Sequence, residues 1–374
     1  MLSGIAIHAL WARRELIGGP QTNILKHGKA SACPIEGKCR CRLAVMVLPT
    51  RKIGDTDVTA IGYGAMGIAA FYGSPLPDEE RLKILDAVYD NGCTNWDTAD
   101  VYADSEVLIG KWLKKTGKRN DIFLATKFGY TQSIPTTTIC GDPEYVPKAL
   151  AKSLDRLGVE SVDLWYRPPL TVRAMAEQVK AGKVKYLGLS EVSAETLRRA
   201  HKVHPISAVQ VEYSPFALDI EDEQIGLLKT ARKLGVKIVA YSPVGRGLLT
   251  GKFKSPDDLP ENDGRRYLPR FSKENFPKVL QVVDSITKIS AKYNATPAQI
   301  CLAWLLAQGE DIIPIPGTTK VANLKENLGA LDVKLTPQDV EEIRKIAVVA
   351  DKTVGPRYHE AGMKLLFVDT PPLE

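Results

Sequence analysis

Asp97, Tyr102 and Lys127 are the residues whose types and spacing could move a proton. Asp97 closes a short uncharged run, Cys93 to Trp96, that reads as a buried strand. Tyr102 follows five residues on, in the loop beyond it. Lys127 ends a second strand-like run over 122–126. Each residue alone reads as a cap or a surface charge. Together, at the ends of two neighbouring strands, a carboxylate, a phenol and an ammonium suit proton donation to a carbonyl oxygen. Tyrosine ionises near pH 10 in water, about three units too high for a ready acid at neutrality. A lysine ammonium within reach favours the phenolate and lowers that pKa. The aspartate would pin the lysine and keep it charged.

The elements that must position these residues alternate along the chain. A hairpin is expected near 51–61, turning at Gly54-Asp55. A Gly-rich stretch, Ile61 to Gly67, follows, but it is not a G-x-G-x-x-G dinucleotide fingerprint. Apolar periodicity then predicts helices over 79–91, 105–115, 142–157, 171–181, 194–204, 220–234, 275–293, 296–308 and 321–328, with a last one from Thr336. Asp142 is the expected N-cap of the third β/α unit's helix, with Pro143 at its first position. Strands are expected at 60–61, 93–97, 122–127, 162–166, 184–190, 208–211, 237–241 and 311–314. Eight strands, each followed by helix, give an α/β chain of (β/α)8 TIM-barrel type, with an N-terminal β-hairpin cap and a C-terminal helix. In such barrels the chemistry sits at the carboxyl ends of the strands, where Asp97 and Lys127 fall.

Composition agrees with a globular enzyme. The 374 residues are 44% hydrophobic and 25% charged, an ordinary balance. No stretch approaches the roughly 20 apolar residues of a membrane helix. A net charge of +6 without a long Lys/Arg block in the body points away from nucleic acid and suits a small anionic ligand. Cys93, Cys140 and Cys301 are widely spaced, as for reduced thiols in the cytoplasm rather than a disulfide framework. Residues 1–46 differ from the body at 47–374. They are basic and acid-poor, one mark of a mitochondrial presequence, but weak in serine. They read first as a disordered extension. Cys33, Cys39 and Cys41 lack a nearby fourth ligand, so no metal site is expected there.

From about Leu48 onward the chain resembles the aldo-keto reductase superfamily, in its larger fungal and bacterial branch. The resemblance rests on Trp96 to Tyr102, on Ala125-Thr126-Lys127, on Gly188 to Glu191, on Val209 to Ser214, on Ala240 to Pro243 with Gly245-Arg246-Gly247, and on Ile313 to Thr318 leading to Glu326-Asn327. It implies an NADPH-dependent reduction of a small aldehyde or ketone, with the cofactor bound without a Rossmann motif. By position it makes Tyr102 the proton donor, with Asp97 and Lys127 as partners. It assigns Ser190 and Gln210 to the nicotinamide carboxamide, although Gln210 alone reads equally as a satisfied buried amide. It stacks Tyr241 on the nicotinamide, and adds Ser242, Gly245 and Arg246 to the cofactor site. It sets Gly317, Thr318, Lys320, Asn323, Glu326 and Asn327 around the adenosine phosphate. A helix N-terminus there would favour an anion independently.

One feature departs from that pattern. The family carries a further catalytic histidine just beyond the fourth strand. Here Tyr166 runs into Arg167-Pro168-Pro169-Leu170, and none of His8, His27, His201, His204 and His359 falls at that place. The loop is short by about eight residues against that pattern, which a barrel tolerates at the usual two to six residues per connection. The alternative reading is thus an NADPH-binding barrel with weak or no turnover. Arg265, Arg266 and Arg270 read first as solvated loop charges, and Arg167 as a possible substitute donor.

Overall fold

The computed structural model describes residues 48–131, 138–167 and 172–370. These belong to one compact unit, Ala44–Glu374. The basic extension and the Pro168-Pro169 segment lie outside the described residues. The hairpin β1 (Thr50–Ile53) and β2 (Thr56–Thr59) comes first. Then follow β3 (Tyr63–Gly64), β4 (Asn95–Asp97) and β5 (Phe123–Lys127). A small antiparallel pair, β6 (Tyr130–Thr131) and β7 (Thr138–Ile139), stands apart from the main sheet. β8 (Val162–Arg167), β9 (Val184–Ser190), β10 (Ile206–Glu212), β11 (Lys237–Tyr241) and β12 (Ile312–Pro314) complete the set. The eight strands from β3 to β12, less the small pair, are all parallel and neighbour one another in chain order.

Closure joins the first strand to the last. Gly62 N–H donates to Pro314 O at 2.9 Å and Gly64 N–H to Pro316 O at 3.2 Å. A Cβ on Gly64 would lie 2.7 Å from Ile315 O, and one on Gly317 would lie 2.6 Å from Gly64 O. Glycine is needed here because two backbones touch. The Gly-rich stretch is therefore a barrel strand, not a loop after one, and the first strand is Tyr63–Gly64 rather than 60–61.

Around the sheet lie α1 (Met66–Ala69), α2 (Asp78–Asp90), α3 (Ser105–Thr116), α4 (Tyr145–Leu157), α5 (Val172–Lys180), α6 (Ala194–Val203), α7 (Leu227–Leu234), α8 (Phe276–Lys292), α9 (Pro297–Ala307), α10 (Val321–Leu328), α11 (Pro337–Thr353) and α12 (Glu360–Met363). Two expectations are corrected. α4 begins at Tyr145, because Asp142 O takes the Tyr145 N–H in a turn and its side chain caps nothing. The helix expected over 220–234 is a single 3-10 turn and then α7. Asp222 Oδ1 accepts from Gln224 and Ile225 N–H, and Gly226 turns left-handed at φ +59. Side chains that compete for backbone donors favour turns over helix.

Alternation along each strand splits the core in two. Trp96, Trp165, Leu187 and Val209 face outward under the helices. Phe123, Ala125, Leu164, Tyr166, Ala208, Val239 and Ile313 fill the barrel interior, joined by Ile53 and Val58 of the hairpin. The hairpin thus plugs the barrel, and Arg51 fastens it by donating to Ile312 O and to Leu306 O. Among the described residues no helix is long and apolar enough to cross a membrane.

α11 is capped by Thr336, whose hydroxyl accepts from Asp339 N–H and donates to Asp339 Oδ2. Lys292 Nζ, from α8, donates to Asp339 Oδ1 at 2.8 Å, and Tyr293 donates its hydroxyl to the other oxygen. These bonds, that of Lys292 first, hold the Asp339 carboxyl down at about 2, against about 3.9 unfolded. A depressed carboxyl pKa stabilises the fold above the unfolded value and stops doing so as pH falls through the folded one. Asp339→Asn should therefore lower Tm at pH 7, and the gap from wild type should vanish on titration from about 4 to 2. A gap that persists at pH 2 would assign the effect to packing.

Candidate active site

The predicted catalytic residues converge at the carboxyl ends of β4 and β5. Asp97 and Lys127 are each the last residue of their strand. The Lys127 ammonium donates to an Asp97 carboxylate oxygen and to Thr98 O at 2.7 Å. Gln210 Nε2, from β10, donates to the other Asp97 oxygen at 2.8 Å. The buried carboxylate is thereby satisfied on both sides, as a charge out of water must be. Lys127 Nζ lies 5.0 Å from the Tyr102 ring centroid, near enough for its charge to act on the phenol.

Electrostatics modify the expectation for Tyr102. Burial raises its pKa, the Lys127 charge pulls it down, and the balance stays above the ordinary tyrosine value. The phenol is thus held protonated, as an acid, rather than poised as phenolate. Burial works against the Lys127 charge, but Asp97 and then Tyr102 raise its pKa on balance. The ammonium persists at neutral pH.

A cleft of about 700 Å³ opens over these residues. Asp97, Tyr102, Lys127, Ser190, Gln210, Tyr241, Ser242, Arg246, Gly317, Thr318, Lys320, Asn323, Glu326 and Asn327 all line it. Gly245 does not. It turns left-handed at φ +59 against Phe216, where a Cβ would meet the ring at 2.9 Å, so its part is in shaping the wall. Several segments around the cleft turn through left-handed residues that are not glycine. Ala103 follows Tyr102, Glu191 follows Ser190 and Ser242 follows Tyr241, with φ of 45, 50 and 49, and Arg246 has φ 56. Such backbone costs of order 1–3 kcal/mol per residue and gathers at functional sites.

At the far end of the cleft Lys320 is exposed and stands before the N-terminus of α10. Lys320 N–H is held on the Thr318 hydroxyl at 3.0 Å, and Tyr63 donates its hydroxyl to Thr318 O at 2.9 Å. Asn323 and Glu326 are bound by a residue the sequence reading missed, Lys252, at 2.9 and 2.8 Å.

Another missed group lies behind Tyr241. Tyr241 donates its hydroxyl to Glu191 Oε1 at 2.7 Å. Arg357 Nη1 donates to the same oxygen at 3.2 Å and lies 3.7 Å from Glu212. Glu212 also takes Arg246 and Arg270, at 3.3 and 3.5 Å. Arg246 further donates to the Tyr358 hydroxyl at 2.6 Å. Arg270 is therefore a buried structural ion, not a solvated one. Arg265 pairs with Asp263 and lies 4.6 Å from the Tyr72 ring centroid. Arg266 donates to Leu259 O and Pro260 O. Arg357 and Tyr358 follow α11 in a tail without periodicity, whereas Glu191 and Glu212 stood at strand ends where an uncompensated acid is a signal. The histidines His201, His204 and His359 bind backbone and none lines the cleft.

Arg357 is 2% exposed, so its loss leaves two buried carboxylates short of a cation. Arg357→Met should cost about 3–5 kcal/mol at pH 7 by urea unfolding. Burial already raises the Glu191 pKa, with Arg357 opposing. Without the arginine the folded pKa climbs further above the unfolded one. Protonation then restores stability as pH falls, and the loss should shrink at pH 5. Equal losses at both pH values would show that the carboxylates do not carry it.

Comparison with known proteins bears on the same residues. Residues 60–348 match the model of the aldo/keto reductase family. An aldo-keto reductase, str7, of Strobilurus tenacellus is 57% identical over 88% of this chain and 99% of its own length. The aldo-keto reductase yakc [NADP(+)] of Schizosaccharomyces pombe is 50% identical over the same shares. Among solved structures, the glycerol dehydrogenase AKR11B4 of Gluconobacter oxydans superposes with a TM-score of 0.72 at 26% identity, over 83% of this chain and 98% of that one. The thermostable aldo-keto reductase Tm1743 gives 0.64 at 29% identity, over 80% and 100%. With a catalytic-type ion pair at the strand ends, a closed (β/α)8 barrel and relatives matched along nearly their whole length, the chain belongs to the aldo/keto reductase family.

Proposed function

We propose that this chain reduces aldehydes or ketones to alcohols with NADPH, as an alcohol dehydrogenase of the NADP type. The observation that carries the reading is one continuous cleft. Tyr102, Lys127 and Asp97 stand at one end, and Thr318, Lys320 and the α10 N-terminus at the other. A long ligand with a reactive ring and a distant phosphate fits that layout. Ser190 and Gln210 would hold the carboxamide, Tyr241 the ring face, and Lys320 with Thr318 the adenosine phosphate. Ser242, Arg246, Gly317 and Asn327 would line the path between. Backbone N–H groups and the helix dipole favour an anion at the α10 end. The yakc relative is named for NADP(+), in keeping with this assignment.

NADPH bound there supplies a hydride to the carbonyl carbon. The residues of the chain manage the oxygen. Tyr102, held protonated by burial, gives its proton to that oxygen as negative charge grows. Lys127, kept charged by Asp97, stabilises the phenolate left behind. Asp97 and Gln210 fix the ammonium in place through bonds made before substrate arrives. No histidine among the described residues lines the cleft. Loss of one donor at a developing oxyanion lowers turnover about 10²–10³-fold, so we expect slow reduction of simple aldehydes rather than none. The described cysteines are free thiols, in keeping with a cytoplasmic setting for the barrel.

Oxidation of NADPH, followed by absorbance with 4-nitrobenzaldehyde, tests the activity. Tyr102→Phe should lower kcat by about 10²–10⁴-fold, the usual worth of a general acid, with NADPH binding retained by fluorescence. A variant with wild-type kcat would remove Tyr102 from the reaction. Since the tyrosine pKa is raised, the rate of reduction should stay level with pH up to at least the ordinary tyrosine value of about 10.

A further inference from the structure

Arg167 ends β8, one residue past the register partner of Lys127. Its side chain lines the cleft beside Lys127, Phe128 and Tyr166 and is 1% exposed. Nη2 donates to Cys140 O at 2.5 Å. The guanidinium carbon lies 5.2 Å from the Phe128 ring centroid. Nε and Nη1 are buried and have no hydrogen-bond partner among the described residues. The Tyr166 hydroxyl, also at the cleft, is buried and unpartnered in the same way.

The contrast with the other cations of the cleft is sharp. Lys127 is paired with Asp97, Arg246 with Glu212, Lys252 with Glu326 and Arg265 with Asp263. Lys320 is exposed to water. Arg167 is the cleft cation that is both out of water and without a carboxylate in ion-pair range, among the described residues. Burial lowers its pKa to about 10, with Cys140, Asp142 and Tyr145 resisting from a distance. The side chain is still charged at neutral pH. A desolvated charge without a counter-ion is costly, and a guanidinium offers a planar fork of donors that matches a carboxylate. Nε and Nη1 flank the Nη2 that donates to Cys140 O and have no partner among the described residues, so each edge of the fork keeps N–H groups open to a carboxylate, and the proton donor Tyr102 lines the same cleft.

We propose that Arg167, with the Tyr166 hydroxyl beside it, is a carboxylate subsite, and that the preferred substrates are oxo acids, carbonyl compounds that carry a carboxylate of their own. The inference rests on the reductase reading and narrows its substrate class. Arg167 makes and breaks no bond. The carboxylate docks on it, and the carbonyl is thereby presented to Tyr102. Hydride from NADPH forms the C–H bond, the proton of Tyr102 forms the O–H bond, and NADP⁺ and a hydroxy acid leave. Solvent then returns the proton to Tyr102. A substrate anchored at its far end gains orientation that a simple aldehyde, in a cleft without the histidine, lacks.

The test compares 4-carboxybenzaldehyde with 4-methylbenzaldehyde, similar in shape and different in charge, on the full-length protein. KM for the carboxylated aldehyde should be at least tenfold lower, and the advantage should shrink as salt is raised. Arg167→Met should raise that KM at least tenfold, and Arg167→Lys should restore part of the loss. Benzoate binding by calorimetry, with NADP⁺ present, should weaken at least tenfold in Arg167→Met. Equal KM values for the two aldehydes in wild type overturn the inference, and so does benzoate affinity unchanged by the substitution. Should Arg167→Met fail to fold, the wild-type comparison and Arg167→Lys decide alone. Absence of NADPH oxidation with either aldehyde overturns the reductase reading instead, and benzoate binding then still judges Arg167.

Discussion

A lysine ammonium and an aspartate carboxylate, held out of water at the ends of two adjacent strands, set the terms for the rest of the molecule. Neither charge is tolerable there alone. Removing one partner of a buried pair typically costs about 3–5 kcal/mol. The pair is kept because each remaining lone pair and proton has a place to go. Thr98 O takes a second Lys127 proton, and Gln210 supplies the second donor to Asp97. That arrangement needs β4, β5 and β10 at fixed heights around one mouth, which only a closed barrel provides. The fold therefore serves the ion pair, and the ion pair serves Tyr102, whose phenol would otherwise have no stable phenolate state to reach.

The second layer of buried charge works on the opposite side of the mouth. Glu191 and Glu212 face Arg246, Arg270 and Arg357. Two carboxylates against three guanidiniums leave no acid unpaired, and the Tyr241 hydroxyl is drawn into the set. The tail after α11 is held by the same contacts, by Phe367 N–H on Glu191 O, and by Arg199 on Thr370 O at 2.7 Å. The tail is thus ordered by ion pairs together with Val354, buried in the core, and Phe367, packed against it. Glu191 reaches its position only because the residue adopts φ 50, a backbone state whose cost the ion pairs offset.

The parts visible in the sequence were those with local signatures. Strand–helix alternation and the hairpin are written in short-range patterns. Asp97 and Lys127 stood out because a charge ending an apolar strand has few reasons to be there. Less visible was whatever depends on distant partners. Lys252 binding Asn323 and Glu326 joins residues some 70 apart, and no spacing rule signals it. The burial of Arg270, and the shift of Tyr102 upward rather than downward, depend on how much water the folded barrel excludes, a property of the packed whole. The break within 220–234 was missed because apolar period is blind to an Asx turn, although Gly226 was its visible sign. The histidine gap was legible as an absence, but the burial of Arg167 beside it was not.

Closure of the barrel ties fold to chemistry in the narrowest place. β3 and β12 meet through Gly62 and Gly64 on one side and Pro314 and Pro316 on the other. Both prolines lack an N–H, so they can only accept, and both acceptors are used. Gly317 must approach Gly64 O within a distance no Cβ allows. The next residues on that same strand exit are Thr318 and Lys320, clamped by Tyr63 of β3 through Thr318 O. The contact that closes the barrel therefore also fixes the Lys320 end of the cleft. At the other end of the barrel Ile53 and Val58 seal an apolar interior. The hairpin plugs one end and the cleft lies at the other, where a connection can vary in length without removing a core side chain. What such a change alters is the set of side chains around the cleft.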